Sequence, residues 1–178
     1  MIRVFDFIFS LIGLIILFPL LLIVTIIGFF DTGSPLFFQR RIGLHMKSFK
    51  LIKFRTMKIG VQSLSTHLIE ESNITQFGKF IRKFKIDELP QLWNVLIGEM
   101  SLVGPRPCLF NQNKLIHERK KRDVFNAKPG ITGLAQISGV TMRSPIHLAK
   151  TDLKMISNLN VYYYFYYIFV TFIKIFKK

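Results

Sequence analysis

The chain has 178 residues, room for one domain and hardly two. Half of its residues are hydrophobic, enough for a core, and 25 Lys+Arg against 10 Asp+Glu set the net charge at +15. A single cysteine, Cys108, excludes an internal disulfide and suits a reducing compartment.

The first element is an apolar run. The 24 residues from Phe7 to Phe30 carry no charge. That length matches the ~30 Å of bilayer hydrocarbon and exceeds the roughly 7–15 apolar residues of a signal peptide. Pro19 falls near its middle, where it removes a helical hydrogen bond and frees the carbonyl of Ile15. Composition allows two topologies, a kinked helix that spans or a re-entrant one that bends at Pro19 and returns. Arg3 is the only cation ahead of the run, so the basic bulk after it places residues 31–178 on the cytoplasmic side. Anionic lipid and nucleic acid are the two partners such charge suggests. The membrane segment favours lipid.

Asp31-Thr-Gly-Ser-Pro35 is a turn cluster. "LFFQRRIG" and "SFKLIKFRTM" read as two short strands joined around Gly43–Lys47. Residues 59–75 read as loop plus a weak helix, and Gly78 to Lys85 as a basic, partly helical approach. Leu89, Leu92, Trp93 and Leu96 recur at helical spacing, which predicts an amphipathic helix over 88–97. "MSLVGPRP" ends in a stiff turn, 111–126 reads as a charged helix, "KPGITGLAQISG" as a glycine-punctuated loop and strand, and 145–158 as a helix. The tail "VYYYFYYIFVTFIKIFKK" reads as an aromatic helix lying in the headgroup layer. The fold class is therefore α+β and membrane-associated: mostly helical, with one short β-hairpin. A membrane helix occupies 1–30 and a cytoplasmic domain 31–178.

Asp87 and Glu88 stand side by side in this basic chain, just ahead of Pro90. Proline is tolerated in a helix's first turn, which puts Asp87 at or near an N-cap. Helix cap, metal site and nucleophile all fit that position. Arg82, Lys83 and Lys85 crowd the pair, and Arg106 is held between two prolines in "GPRP". A guanidinium fixed in a stiff turn suits two phosphate oxygens. "KFRTM" places the basic side chains of Lys53 and Arg55 on one strand face, and "PGITG" could bring backbone N–H groups to an anion. The four histidines show no metal-ligand spacing, and no Walker loop, GxGxxG or nucleophile elbow occurs.

In order along the chain, "RTM", "DELPQLWNVLIGEMSLVGPRP" and "KPGITGLAQISG" after an apolar segment resemble the monotopic phosphoglycosyl transferases of bacterial glycoconjugate assembly, in their small single-domain form. The resemblance implies transfer of a phospho-sugar from a UDP-sugar, of N-acetylhexosamine type, to polyprenol phosphate with release of UMP. It implies Mg²⁺, a re-entrant membrane helix bent at Pro19, and a catalytic domain on the cytoplasmic face of the bacterial inner membrane. Matched by motif, Asp87 and Glu88 are the catalytic and metal-holding dyad, and Arg106, Lys53 and Arg82 bind substrate. Two positions depart from the family pattern. Phe18 replaces the serine common before the bending proline, and Ser138, Gly139 and Val140 stand where Asn-Gly-Arg is frequent, leaving Arg143 as the substitute cation. The broad membrane face permits a homodimer. Two other classes compete: a metal-dependent lipid diphosphate hydrolase, and a non-catalytic membrane protein that binds anionic lipid.

Overall fold

The computed structural model describes residues 1–60 and 71–177. Its first element, α1 (Ile2–Thr32), is one unbroken helix through Pro19. Its 31 residues make it about 46 Å long at 1.5 Å per residue. Gly33 closes it with φ 72°, donating its N–H to the carbonyl of Phe29. A narrow stripe of Asp6, Ser10, Val24 and Gly28 is buried. The remaining faces expose Ile8, Ile12, Ile15, Ile16, Phe18, Ile23 and Ile26. Its most apolar stretch has mean hydropathy 3.1, yet only 11% of that stretch is buried. A core helix of a soluble domain would bury most of such a surface, so α1 is a candidate membrane segment.

Strands β1 (Leu36–Ile42) and β2 (Ser48–Phe54) form the expected antiparallel hairpin, in register from Leu36↔Phe54 to Ile42↔Ser48. Side chains alternate across it. Phe54 packs with Val24 of α1 and Ile81, while Phe49 and Leu51 turn the other way onto Val95 and Met100. Of the loop and weak helix expected over 59–75, residues 61–70 lie outside the described residues; Glu71–Asn73 is a 3₁₀ turn. Helix α2 (Gln76–Lys83) starts at Thr75, whose Oγ1 accepts from the N–H of Gly78 at 2.8 Å and donates to Asp31 at 2.7 Å. Gly78 is required here, because a Cβ would lie 2.2 Å from the carbonyl oxygen of Thr56. Its absence lets α2 rest directly on the end of β2.

Helix α3 (Gln91–Leu96) is followed by β3 (Ser101–Val103), which pairs in parallel with β4 (Gly130–Thr132). The pairing of β3 with β4 was not apparent from residue pattern, since each strand is three residues long. The charged helix expected over 111–126 is shorter: α4 (Asn113–Lys120) ends, Asp123 takes φ 54°, and a 3₁₀ turn covers Val124–Asn126. After β4 comes a single helical turn, α5 (Leu134–Ile137), then α6 (Pro145–Ser157) and α7 (Val161–Phe176). The aromatic helix α7 serves two surfaces. Tyr164 and Tyr167 pack inward with Val103, Ile137 and Met155, whereas Tyr162, Phe165, Phe169 and Phe172 are exposed.

Polar side chains fasten these parts. Asp6, 2% exposed, accepts hydrogen bonds from Ser101 Oγ, Leu102 N and Tyr164 Oη, each at 2.9 Å, tying α1 to β3 and α7. Arg3 donates to the carbonyls of Val95 and Leu96 at the C-terminal end of α3. Arg119 of α4 meets Asp152 of α6 at 2.7 Å, both fully buried, and its Nη1 donates to the carbonyl of Arg106 at 2.8 Å. Removing one member of a buried ion pair strands the other charge, at a cost of roughly 3–5 kcal/mol. Asp152→Ala is therefore expected to lower the thermal unfolding midpoint steeply, and a circular-dichroism melt in detergent checks it. An unchanged midpoint would mean the pair contributes nothing to the fold.

Candidate active site

The acidic pair does not cap a helix. Asp87 and Glu88 lie in a 3₁₀ turn, Ile86–Glu88, and α3 begins only at Gln91, with Pro90 before it and no side-chain cap. The turn is closed by short-range bonds, Glu88 N to Lys85 O and Leu89 N to Ile86 O, each 3.1 Å. Lys85 opens it at φ 56°, a conformation uncommon for a residue with a Cβ. The left-handed residue on one side and Pro90 on the other fix the direction in which the two carboxylates project.

Each carboxylate has its own surroundings. Glu88 Oε1 accepts from Arg106 Nη2 at 2.8 Å, and the Glu88 side chain is 17% exposed against 42% for Arg106. Burial pushes the Glu88 carboxyl upward, but the Arg106 charge and hydrogen bond outweigh it, so its pKa lies below the ordinary value. Arg106 is raised in return, chiefly by Glu88. Asp87 has no ion pair among the described residues. Burial and the neighbouring Glu88 charge raise its pKa to about 6, against the pull of Lys53, Arg82 and Arg106. Lys53, from β2, is lowered to about 8 by burial and the charge of Arg41. Arg82, from α2, donates its Nε–H to Thr56 Oγ1 at 2.7 Å.

Five residues singled out in the sequence are thus brought together: Asp87, Glu88, Lys53, Arg82 and Arg106. Lys53, Glu88 and Arg106 line one small polar pocket with Arg41, Gln91 and Pro107. Arg143 is not part of it. It is exposed on the turn ahead of α6, and the pocket lining does not include it. Residue pattern had not singled out Arg41 or Gln91. The hairpin register supplies the missing signal for Arg41: Gln39 and Arg41 alternate inward while Phe38 and Arg40 face out. Lys53 of β2 and Arg55, just past the end of that strand, both lie over the ring of Phe37. The "PGITG" segment reaches the pocket through Gly130 and Ile131, but the N–H of Gly130 donates to the carbonyl of Pro105 at 2.9 Å and is not free for an anion. Gly104 and Gly130 are in contact backbone to backbone; a Cβ on Gly130 would lie 2.0 Å from the nitrogen of Gly104. That approach packs the Arg106 turn against β4.

No group of three or more His, Cys, Asp or Glu converges among the described residues. Two adjacent carboxylates, of which Glu88 lines the cationic pocket, still suit Mg²⁺. That ion dehydrates reluctantly and is usually held by one or two carboxylates plus the phosphates of a substrate. With Glu88 Oε1 engaged by Arg106, Asp87 and the other oxygen of Glu88 are the donors available for it. An acidic pair set among four cations, with one carboxylate paired and the other not, is chemically suited to an anionic ligand.

The profile of the bacterial sugar transferase family matches residues 1–178. The chain belongs to that family. It is 39% identical over 157 residues to the UDP-galactose-lipid carrier transferase of Erwinia amylovora, a match over 77% of this chain and 32% of that protein. It is 39% identical over 148 residues to the UDP-glucose:undecaprenyl-phosphate glucose-1-phosphate transferase of Xanthomonas campestris pv. campestris, covering 79% of this chain and 30% of that one. An uncharacterized sugar transferase of Bacillus subtilis, EpsL, is 53% identical over 108 residues, with 60% and 53% of the two chains covered. The chain thus spans about half or less of the length of these sugar transferases.

Proposed function

We propose that this sugar transferase moves a phospho-sugar from a UDP-sugar to polyprenol phosphate through an aspartyl intermediate. The observation that carries the reading is the inequality of the dyad: Glu88 is tied to Arg106, while Asp87 has no ion pair beside it among the described residues. Asp87 attacks the phosphorus that bears the sugar. A P–O bond forms to its carboxylate, the bond to the bridging oxygen breaks, and UMP departs with the electron pair. A phosphate oxygen of polyprenol phosphate then attacks the same phosphorus, the bond to Asp87 breaks, and the carboxylate is restored.

A carboxylate and a diphosphate repel by about 4 kcal/mol per unit-charge pair at 4 Å and an effective dielectric of 20. Lys53, Arg82 and Arg106 offset that repulsion where charge develops. Mg²⁺, held by Asp87 and Glu88, would add positive charge at the phosphates. Glu88 stays ionised and keeps Arg106 in place.

The ties of α1 support a membrane placement. Arg3 and Asp6 near one end and Asp31 at the other all bond to the same body. A spanning helix would carry one end across the bilayer, away from that body. This supports a helix that enters and leaves one leaflet while staying continuous through Pro19, on the cytoplasmic side where the basic residues gather. The site then meets the polyprenol phosphate head at the interface.

The test is UMP release. Nanodisc-held protein is given Mg²⁺, undecaprenyl phosphate and a panel of UDP-glucose, UDP-galactose and UDP-N-acetylhexosamines. The panel covers both the sugars in the relatives' names and the N-acetylated class that the family resemblance implies. Folded protein that releases UMP from none of them would refute the reading. The rate with saturating lipid is expected to rise with pH through about 6, as Asp87 ionises, and to decline above about 8, as Lys53 loses its proton. A flat profile across that range would remove Asp87 and Lys53 from the rate-limiting chemistry.

A further inference from the structure

Arg41 is a buried cation with no ion pair among the described residues. It is 9% exposed. Its Nη1 donates to the carbonyl of Pro107 at 3.1 Å and its Nη2 to Gln39 Oε1 at 2.5 Å, both neutral acceptors. Its Nε–H is buried with no acceptor among the described residues. Arg119, which holds the adjacent carbonyl of Arg106, is neutralised by Asp152. The two guanidiniums clamp the same turn from different sides, and only one of them is paired. A buried unpaired charge is costly and persists where something else requires it. The pocket it lines with Lys53, Glu88 and Arg106 is that requirement.

Its position within the site separates it from the other cations. Asp87 is influenced by Glu88, Lys53, Arg82 and Arg106; Arg41 is influenced by Arg106 and Glu88. Lys53 feels both Arg41 and Asp87. The pocket that Arg41 lines with Lys53, Glu88 and Arg106 includes neither Asp87 nor Arg82, so Arg41 and Arg82 belong to different parts of the cationic cluster. A phosphorus within reach of Asp87 lies among Lys53, Arg82 and Arg106. The second phosphate of a diphosphate, one bridging oxygen further, would be met in the adjoining pocket, where Arg41 is the buried cation without an ion pair among the described residues.

We propose that Arg41 is a substrate-binding residue that takes the phosphate of the departing nucleotide. The assignment rests on the function proposed above. As the bridging P–O bond breaks, the electron pair stays on the bridging oxygen, and the nucleotide phosphate becomes a monoester with added negative charge. A guanidinium already fixed by Pro107 and Gln39 meets that charge without reorganising. The polyprenol phosphate enters only after this group has left, so its affinity should not depend on Arg41.

The experiment measures UMP binding by calorimetry on nanodisc-held wild type, Arg41→Gln and Arg41→Lys, together with the KM for undecaprenyl phosphate. Arg41→Gln is expected to weaken UMP about 10- to 100-fold, the range for a charged hydrogen bond, and to leave the lipid KM unchanged. Arg41→Lys is expected to recover part of the UMP affinity, since the charge remains while the two-pronged fork is lost. Unchanged UMP affinity overturns the assignment. So does an equal loss for UMP and lipid, which would report a collapsed Pro107 turn. Should Arg41→Gln fail to fold, Arg41→Lys decides alone: UMP weakened with lipid KM unchanged supports the assignment, and any other pattern overturns it. Wild-type protein that binds no UMP would instead overturn the function itself.

Discussion

Asp87→Asn is expected to abolish UMP release and lipid product together, a loss of about 10⁴-fold or more, as for removal of an enzyme's nucleophile. The amide has the shape of the carboxylate but no charge and no nucleophilic oxygen. Folding should survive the change. Because the Asp87 pKa is raised in the folded state to about 6, the native protein holds that proton more tightly than the unfolded chain does. The stability contributed by this group therefore falls as pH rises from the usual carboxylate range through about 6, and none returns above it. Asn lacks that loss, so at pH 7 the variant should melt no lower than wild type. The paired measurement is intact mass after exposure to a UDP-sugar without polyprenol phosphate. Wild type should gain one phospho-sugar, and Asp87→Asn none. Turnover retained by a folded Asn variant would remove Asp87 as nucleophile.

Much of this arrangement is legible in the chain because it is local. The apolar run that becomes α1, the two alternating strands of the hairpin and the helix over Pro145–Ser157 each carry their period within a few turns of sequence. Lys53, Asp87, Glu88 and Arg106 stand in short runs with distinctive neighbours. What escaped depends on distant partners. Arg119 and Asp152 are 33 residues apart, and neither stands out until α4 lies on α6. Arg41 reads as one of two adjacent arginines on a strand. Which of them faces inward is set by pairing with β2, not by residue type. The acidic pair shows the opposite error. Asp followed by Pro three residues on has the pattern of a helix cap, but the left-handed Lys85 and the 3₁₀ bonds use up the turn before α3 begins. Arg143, offered as the substitute for the Arg of an Asn-Gly-Arg element, is exposed on the turn ahead of α6 and does not line the pocket, since which way a turn projects its side chains is not written in local sequence.

Arg106→Gln is the second change expected to be severe, and it separates two roles that the structure joins in one side chain. Arg106 both faces the pocket and holds Glu88 at 2.8 Å. Losing a preorganised cation where charge develops typically costs about 10²–10³-fold in rate. The loss should appear in UMP release at saturating substrate. Glu88 would be left with burial unopposed, and its carboxyl would rise from below its ordinary value. Asp87 would lose one of the three cations that restrain its own pKa, so the low-pH limb of the rate profile should move above about 6. Adding Glu88→Gln removes the stranded acid. The double variant should therefore regain stability relative to Arg106→Gln, because no unmatched charge remains buried, but it should not regain rate, because the cation is still missing. Arg106→Lys should recover only part of the rate, since an ammonium cannot present two parallel donors to a phosphate. A double variant that recovers both stability and turnover would reduce Arg106 to a fastener for Glu88, and the phosphate would have to be held by Lys53, Arg82 and Arg41 alone.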